Sequence, residues 1–166
     1  MRKIISFLLT FSCICCLWGC QNTSSAPENA VTVYYKRTAF TYGAADSVIG
    51  ATSLNFVNHE DDLVAILNEY LTAVPENGFN SPFPLGLSSV SFEIDALTAK
   101  IVLTDRIALL SGIDLIMACS CLTQTIIGLT DCQEVIISAE SMLLNGQKFI
   151  TLNQNSYLLL DKSVPE

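Results

Sequence analysis

The first twenty residues constrain the chain most, because they decide which part of it folds. Arg2 and Lys3 open a run of apolar residues that closes at Gly19 and Cys20. A charged start, an apolar stretch and a small residue before a cleavage point are typical of a secretory signal peptide. The apolar stretch is shorter than the ~20 residues that a transmembrane helix needs. We therefore expect residues 1–19 to be a signal peptide that is removed on export.

The end of this segment, Leu17-Trp18-Gly19-Cys20, resembles the lipobox of bacterial lipoproteins. In that motif the cysteine is lipidated and becomes the first mature residue, so the resemblance implies a lipid such as palmitate on Cys20. Two acyl chains hold a protein stably on a bilayer. Residues 20–30 are small and polar, and we expect them to be a flexible tether. An ordinary signal peptide with a coincidental cysteine is the alternative.

The charge of the chain bears on its partners. The formal net charge is −8 at pH 7. A chain this acidic repels phosphate backbones and anionic membrane surfaces. We therefore expect no nucleic-acid partner.

Three of the seven cysteines, Cys119, Cys121 and Cys132, fall within the folded part. They form no C-x-x-C pair, so the sequence indicates neither a zinc site nor a thioredoxin-like redox motif, and we expect no metal or other cofactor. An odd number of cysteines cannot all pair internally. A disulfide from Cys119 or Cys121 to Cys132 is one alternative. Buried free thiols are the other, and we favour them.

The first half of the domain begins with extended segments. Residues 31–35 are β-branched and aromatic, which predicts a strand, and residues 48–57 predict a second, weaker one interrupted by Gly50. A helix should follow, with Asn58 as its N-cap. Asp61, three residues later, takes the position from which a Glu side chain bonds back to the N-cap in a capping box. Its apolar stripe has helical spacing and consists of Leu63, Ile66, Leu67, Tyr70, Leu71 and Val74.

Residues 75–86 form a loop rich in Pro and Gly that carries two phenylalanines, Phe79 and Phe83. These rings could form a contact surface for another protein. The alternative is that they pin the loop onto the core. Residues 90–94 and 99–103 then alternate apolar and polar side chains, which predicts two strands paired as a hairpin around a turn at 95–98.

The second half contains a helix over residues 114–129 that is apolar around most of its circumference, so we expect it to be deeply buried. Its narrower polar side should consist of Ser120, Gln124 and Gly128. Residues 135–139 predict a strand, and Asn145-Gly146 predicts a tight turn. Short extended pieces at 149–152 and 157–160 complete the chain.

This order of elements predicts an α+β fold, a small mixed β-sheet with two helices packed on one face. The single domain should span residues 31–160, followed by a tail at 161–166.

The same order resembles the GerMN domain of sporulation and spore-germination lipoproteins. The resemblance rests on Val33-Tyr34-Tyr35 in the opening strand, Phe83-Pro84-Leu85-Gly86 in the loop, and the strand from Ala99 to Thr104. Leu122 to Ile126 in the second helix and Cys132 to Ile137 in the next strand continue it. It implies a non-enzymatic envelope role in sporulation or germination, with a fold similar to ring-building domains of envelope machines.

Residues for catalysis are sparse. The sole histidine, His59, lies in an acidic run with no Gly-x-Ser-x-Gly stretch to accompany it. Asp95 and Asp105, or the acidic residues at 60–62, could be proposed as paired carboxylates, but turn formation and helix capping explain them more simply. The acidic cluster also lacks the glycine of an EF-hand loop. We expect no catalytic site.

Two functions therefore remain open from the sequence. The first is a lipid-anchored module on the extracytoplasmic face of the cell membrane, which binds an envelope protein or the cell wall. Its contact surfaces would be strand edges or the loop around Phe79 and Phe83. The second is a cell-wall hydrolase or a small-ligand-binding lipoprotein.

Overall fold

The computed structural model describes residues 30–39, 48–56 and 62–155. In this part of the chain the strands are β1 (Ala30–Arg37), β2 (Ile49–Asn55), β3 (Phe79–Asn80), β4 (Ser89–Asp95), β5 (Thr98–Leu103), β6 (Glu134–Ala139) and β7 (Ile150–Asn153). The helices are α1 (Leu63–Thr72), a 3₁₀ helix (Asp105–Leu109) and α2 (Gly112–Leu129). The predicted signal peptide, Cys20, the extended piece at 157–160 and the tail lie outside the described residues.

The first sheet is antiparallel, with β1 in the middle and the order β2-β1-β3. Val33 and Tyr35 of β1 are fully buried, while Thr32 is exposed and Tyr34 is half-buried. This alternation is typical of a strand with one face on the core, and the strand predicted at residues 31–35 is confirmed.

The second sheet has the order β4-β5-β6-β7. β4 and β5 form the predicted hairpin, whose last pair, Asp95 and Thr98, closes a two-residue turn. β5 and β6 are parallel, and the crossover between them passes through α2. A parallel pair requires such a crossover, usually a helix. β7 then pairs antiparallel with β6.

The start of α1 differs from the prediction. Asp62 is the N-cap, because its Oδ1 accepts hydrogen bonds from the backbone N–H groups of Val64 (3.0 Å) and Ala65 (3.1 Å). The prediction of Asn58 as the cap is therefore wrong, and Asn58 itself lies outside the described residues. A carboxylate at Asp62 satisfies two free N–H groups and favours the positive end of the helix dipole, which explains why the helix begins there.

Four residues of the predicted apolar stripe of α1, namely Ile66, Leu67, Tyr70 and Leu71, are buried. The prediction is wrong at Val74, which is 89% exposed because the helix ends before it. The helix ends at Thr72, and Ala73 is already extended, so the chain leaves the helix shortly before Pro75.

α2 is the central helix of the core and packs against β1 of the first sheet and against β6 and β7 of the second. Its 18 residues are long and apolar enough to cross a membrane, with a mean hydropathy of 1.6, but 56% of them are buried inside the domain. The expected deep burial is confirmed. The expected polar side is wrong at Ser120, which is fully buried, since two sheets enclose the helix.

The fold is a single-domain α+β fold, as the sequence predicts. Its strands are divided between two sheets because β1 uses one edge for β2 and the other for β3, which leaves it no edge for the second sheet. The core between them contains side chains from both sheets and both α-helices. The predicted tight turn at Asn145-Gly146 is confirmed by φ angles of 50° and 81° and by the bridge between Leu144 and Gln147.

Candidate functional site

The loop after α1 is fixed to the first sheet at its beginning. Gly78 turns the chain with a φ of +97°, and its carbonyl accepts a hydrogen bond of 3.0 Å from the N–H of Thr38. β3 then pairs with the end of β1, placing Phe79 opposite Arg37. A glycine is required at residue 78 because a side chain is strained at this φ.

The rings of Phe79 and Phe83 are both half-buried and pack against the core. Phe83 meets the ring of Tyr70 edge to face, with the ring centroids 5.1 Å apart. Such a pair stabilises the packing beyond the area that it buries. The two rings therefore pin the loop to the core, the second of the two roles considered above. Their role in binding a protein stays a prediction.

Beyond Phe83 the loop turns outward. The N–H of Leu87 donates to the carbonyl of Pro84 at 3.2 Å, and Gly86 has a φ of +75°. These features define a β-turn with glycine at its third position. Leu87 is fully buried, whereas Leu85 at the second position is 93% exposed.

A groove lies between this turn and the end of α1, and we call it the α1–loop groove. It has a volume of about 240 Å³. It is lined mostly by apolar residues, namely Leu71, Thr72, Ala73, Val74, Pro75, Ser81, Phe83, Pro84, Leu85 and Gly86. Val74 and Leu85 are 89% and 93% exposed, the highest values among the large apolar residues of the described chain.

The α1–loop groove can bind apolar side chains but holds no group for acid–base chemistry. Its lining contains no charged residue. Such a surface, where large apolar side chains point to solvent, is typical of a protein-binding site. The sequence predicts a contact surface in this loop but does not single out Val74 or Leu85. The sequence feature that indicates Leu85 is Pro84-Leu85-Gly86, because a turn over these residues exposes the leucine at its second position.

A second depression, of about 300 Å³, lies where β6 begins and β7 ends. Its lining is polar and consists of Gln133, Glu134, Asn153, Gln154 and Asn155. Among the described residues no group of three or more His, Cys, Asp or Glu side chains could hold a metal ion.

The acidic residues considered as catalytic pairs have structural partners instead. Asp95 forms an exposed ion pair of 3.1 Å with Lys100. Asp105 accepts hydrogen bonds from the N–H groups of Ser141 and Met142 and from the hydroxyl of Ser141. These hydrogen bonds lower the pKa of Asp105, and the bond from the Ser141 hydroxyl has the largest effect. His59, Glu60 and Asp61 lie outside the described residues.

The three cysteines are free and buried, which confirms the favoured alternative. Cys119 and Cys121 lie on different faces of α2, since Cys119 belongs to the main core and Cys121 to a smaller cluster with Val48 and Ile49. Burial raises the pKa of the Cys119 thiol to about 12 and also raises that of Cys121. Thiols in this state are poor nucleophiles.

The arrangement defines a class of protein: a small α+β domain with an apolar groove at one edge of its core and no assembled catalytic group among the described residues. Comparison with solved structures identifies the fold as that of GerMN domains. The chain superimposes on the tandem GerMN domains of the sporulation protein GerM from Bacillus subtilis with a TM-score of 0.56 at 19% identity.

That match covers 82% of this chain and 51% of the GerM chain, so the chain spans about half the length of that structure. A chain from Clostridium perfringens described as a lipoprotein is also similar, with a TM-score of 0.47 at 12% identity over 81% of this chain and 94% of its own. At the sequence level, neither the protein-family models nor the curated proteins contain a match.

Proposed function

We propose that this chain is a lipid-anchored GerMN-type protein of the bacterial cell envelope, which acts as a non-enzymatic binding module outside the cytoplasm. The observation that carries the proposal is the GerMN fold, shared with a domain of a sporulation protein. The signal-like segment ending at Cys20 supports export and attachment to the membrane. By analogy with GerM, the process served is sporulation or spore germination.

The α1–loop groove is the surface that we propose for the partner, an envelope protein. Val74 and Leu85 flank the groove, and Phe83 at its floor is held by Tyr70. A rigid floor with exposed apolar side chains at the rim binds an apolar side chain of a partner with little loss of conformational freedom. The absence of charged groups from the lining supports binding over catalysis.

Anchoring is tested by replacing Cys20. In cells given an alkyne-tagged palmitate, the wild-type protein should incorporate the label and sediment with membranes. Cys20→Ser should lose both properties. Cys16→Ser, four residues earlier within the signal-like segment, is the matched control and should behave as the wild type. Label that persists in Cys20→Ser would overturn the assignment of the lipid.

Partner binding is tested by crosslinking in cells, with an affinity tag after Glu166 and mass spectrometry of the captured proteins. We expect a reproducible envelope protein that is lost in Leu85→Asp. Leu109→Asp is the matched control, because Leu109 is also exposed (67%) but lies on the 3₁₀ helix, away from the groove lining. Equal capture by both variants would contradict the proposed surface, provided that thermal unfolding shows both to be folded.

A further inference from the structure

The outer edge of β4 is an unpaired strand edge whose backbone and side chains are arranged to accept another strand. β4 pairs with β5 on one side and with no described strand on the other. Unpaired edges of this kind are templates for pairing with another chain. The geometry of the β4–β5 turn determines which backbone N–H and C=O groups of β4 point to the outer edge.

The two-residue turn fixes the direction of the backbone groups. Asp95 and Thr98 flank the turn and therefore form a hydrogen-bonded pair. Hydrogen-bonded and non-hydrogen-bonded pairs alternate along an antiparallel ladder, so Glu93 also points its N–H and C=O toward β5. The N–H and C=O groups of Phe92 and Ile94 point the other way, to the outer edge.

The outer edge of β4 is covered by α1 at Ser89, and it is free to pair with another strand further along. The N–H of Ser89 donates a 2.7 Å hydrogen bond to Oδ1 of Asn68 on α1. The ladder with β5 is irregular between Ser89 and Ser91. Pairing with a further strand is therefore limited to residues from about 90 to 94.

The side chains along the open part are apolar on the core-facing side. Phe92 lies opposite Ile101, and Ile94 lies opposite Ala99. Ile101 and Ala99 are buried in the core. Ile94 is nevertheless 47% exposed, because the sheet ends at β4. Val90, where the ladder with β5 is irregular, is 48% exposed. A strand added to this edge would cover both side chains.

We propose that β4 pairs antiparallel with β4 of a second copy of this chain, in the register that places Phe92 opposite Phe92. In this register Val90 of each copy lies opposite Ile94 of the other, and Ser91 lies opposite Glu93. The two Phe92 side chains and the Ile94 side chains then lie on the core-facing side of the strands, and no charged side chain lies directly opposite a like charge. Cross-strand pairs of this kind stabilise a sheet.

The neighbouring registers are unfavourable. Moving the two-fold axis to Glu93 places the two Glu93 carboxylates directly opposite each other, and like charges in that position are destabilising. Moving the axis toward Ser89 brings the second strand against Asn68, which already occupies that part of the edge. The Phe92 register is thus selected by charge on one side and by α1 on the other.

Cysteine crosslinking of the full-length protein tests the pairing. Chains carrying Ser91→Cys and Glu93→Cys, each with a different tag, are co-expressed and oxidised with diamide. In the proposed register these positions form a non-hydrogen-bonded pair, whose short separation suits a disulfide. Of the native cysteines, Cys119, Cys121 and Cys132 are buried and do not compete. Crosslinking through the cysteines of residues 1–20 is measured by the two variants expressed alone.

We expect a mixed disulfide dimer at least several-fold more abundant than the dimer from either variant expressed alone. Dimer from Glu93→Cys alone that equals the mixed dimer would overturn the register. No crosslink above background, together with a monomer mass for the purified protein, would overturn the proposal.

A second variant separates pairing from folding. Ile94→Pro removes an N–H that points to the outer edge, so the bond to β5 is not lost. We expect this variant to melt as a folded protein and to sediment as a monomer, where the wild type sediments as a dimer. A folded Ile94→Pro dimer would contradict the proposed edge. Because neither Cys20 nor the α1–loop groove is part of the β4 edge, this test does not depend on the proposed lipid anchor or on the proposed partner site.

Discussion

The hydroxyl of Tyr35 donates a hydrogen bond of 3.1 Å to the carbonyl of Tyr70, and the two rings lie 5.1 Å apart. In return, the hydroxyl of Tyr70 donates one of 2.5 Å to the carbonyl of Tyr34. β1 and α1 are therefore joined by two hydrogen bonds of opposite direction within the core. Because Tyr70 also contacts Phe83, this pair supports the floor of the α1–loop groove.

Replacing Tyr70 by Phe should reduce the free energy of unfolding by about 1–2 kcal/mol, because the partly buried carbonyl of Tyr34 loses its donor. Urea denaturation monitored by circular dichroism measures the change. Tyr34→Phe is the matched control, since the Tyr34 side chain is partly exposed and its hydroxyl has no hydrogen bond within the described residues. A loss in the control as large as that in Tyr70→Phe would contradict the assigned bond.

The sequence predicts the elements of this fold well and their assembly less well. The β4–β5 hairpin and its turn, and the apolar stripe at Ile66, Leu67 and Tyr70, follow from local periodicity. The division into two sheets does not, because it depends on β1 pairing on both edges with segments distant in sequence. Ser120 shows the same limit, since only the surrounding sheets make a polar side chain on α2 fully buried.

The sequence likewise predicts only part of the candidate site. Phe79 and Phe83 draw attention in the sequence because aromatic residues in a loop need an explanation. The structure shows that these two rings face the core, while Val74 and Leu85 face solvent. Composition alone cannot distinguish the two pairs, because all four residues are apolar. Val74 is exposed where the chain leaves α1 after Thr72, and Leu85 is exposed in the turn that Gly86 completes.

The native thiols should resist alkylation. Burial raises the pKa of Cys119 to about 12, and the thiolate is the reactive form, so iodoacetamide at pH 8 should modify it roughly 1000-fold more slowly than an ordinary thiol. Ser53→Cys, on the exposed face of β2, supplies the matched fast thiol. Peptide mass spectrometry gives both rates. Comparable rates in the folded protein would contradict the burial of Cys119, and in denaturant the rates should converge.

The bond between Asp105 and the turn at Ser141 should weaken in acid. The pKa of Asp105 is lowered in the folded protein, chiefly by the Ser141 hydroxyl, from an ordinary value of 3.8. A lowered pKa means that the stabilisation is present above about pH 4 and is lost as the pH falls through the folded-state value. The melting temperature of Asp105→Asn should therefore lie below that of the wild type at pH 7 and approach it near pH 2.

Asp131→Asn is the control for this titration, because Asp131 is exposed and has no hydrogen bond or ion pair within the described residues. Its melting temperature should follow that of the wild type at every pH. A constant difference between Asp105→Asn and the wild type from pH 7 to pH 2 would show that the carboxylate charge is not what stabilises the turn.

Two glycines should respond to alanine with opposite signs. At Gly50 a Cβ would lie 2.7 Å from Nε of Arg37 and 2.8 Å from Cε1 of Phe79. Because these side chains must shift, Gly50→Ala should lower the free energy of unfolding by about 1–3 kcal/mol. At Gly128, within α2, the nearest side-chain atom would be Cε2 of Tyr34 at 3.9 Å, an ordinary contact. Gly128→Ala should therefore raise stability by about 0.4–1 kcal/mol.

Urea midpoints for the two variants give the comparison, and the same sign for both would contradict the crowding at Gly50. A further variant identifies the cause of the loss. Phe79→Leu removes the ring atom nearest to the new methyl group, so it should cost less in the Gly50→Ala background than in the wild type. The difference between the two costs measures the coupling of Gly50 to Phe79. It therefore shows whether a small residue on β2 is what allows β3, with the ring of Phe79, to pair with β1 in the first sheet.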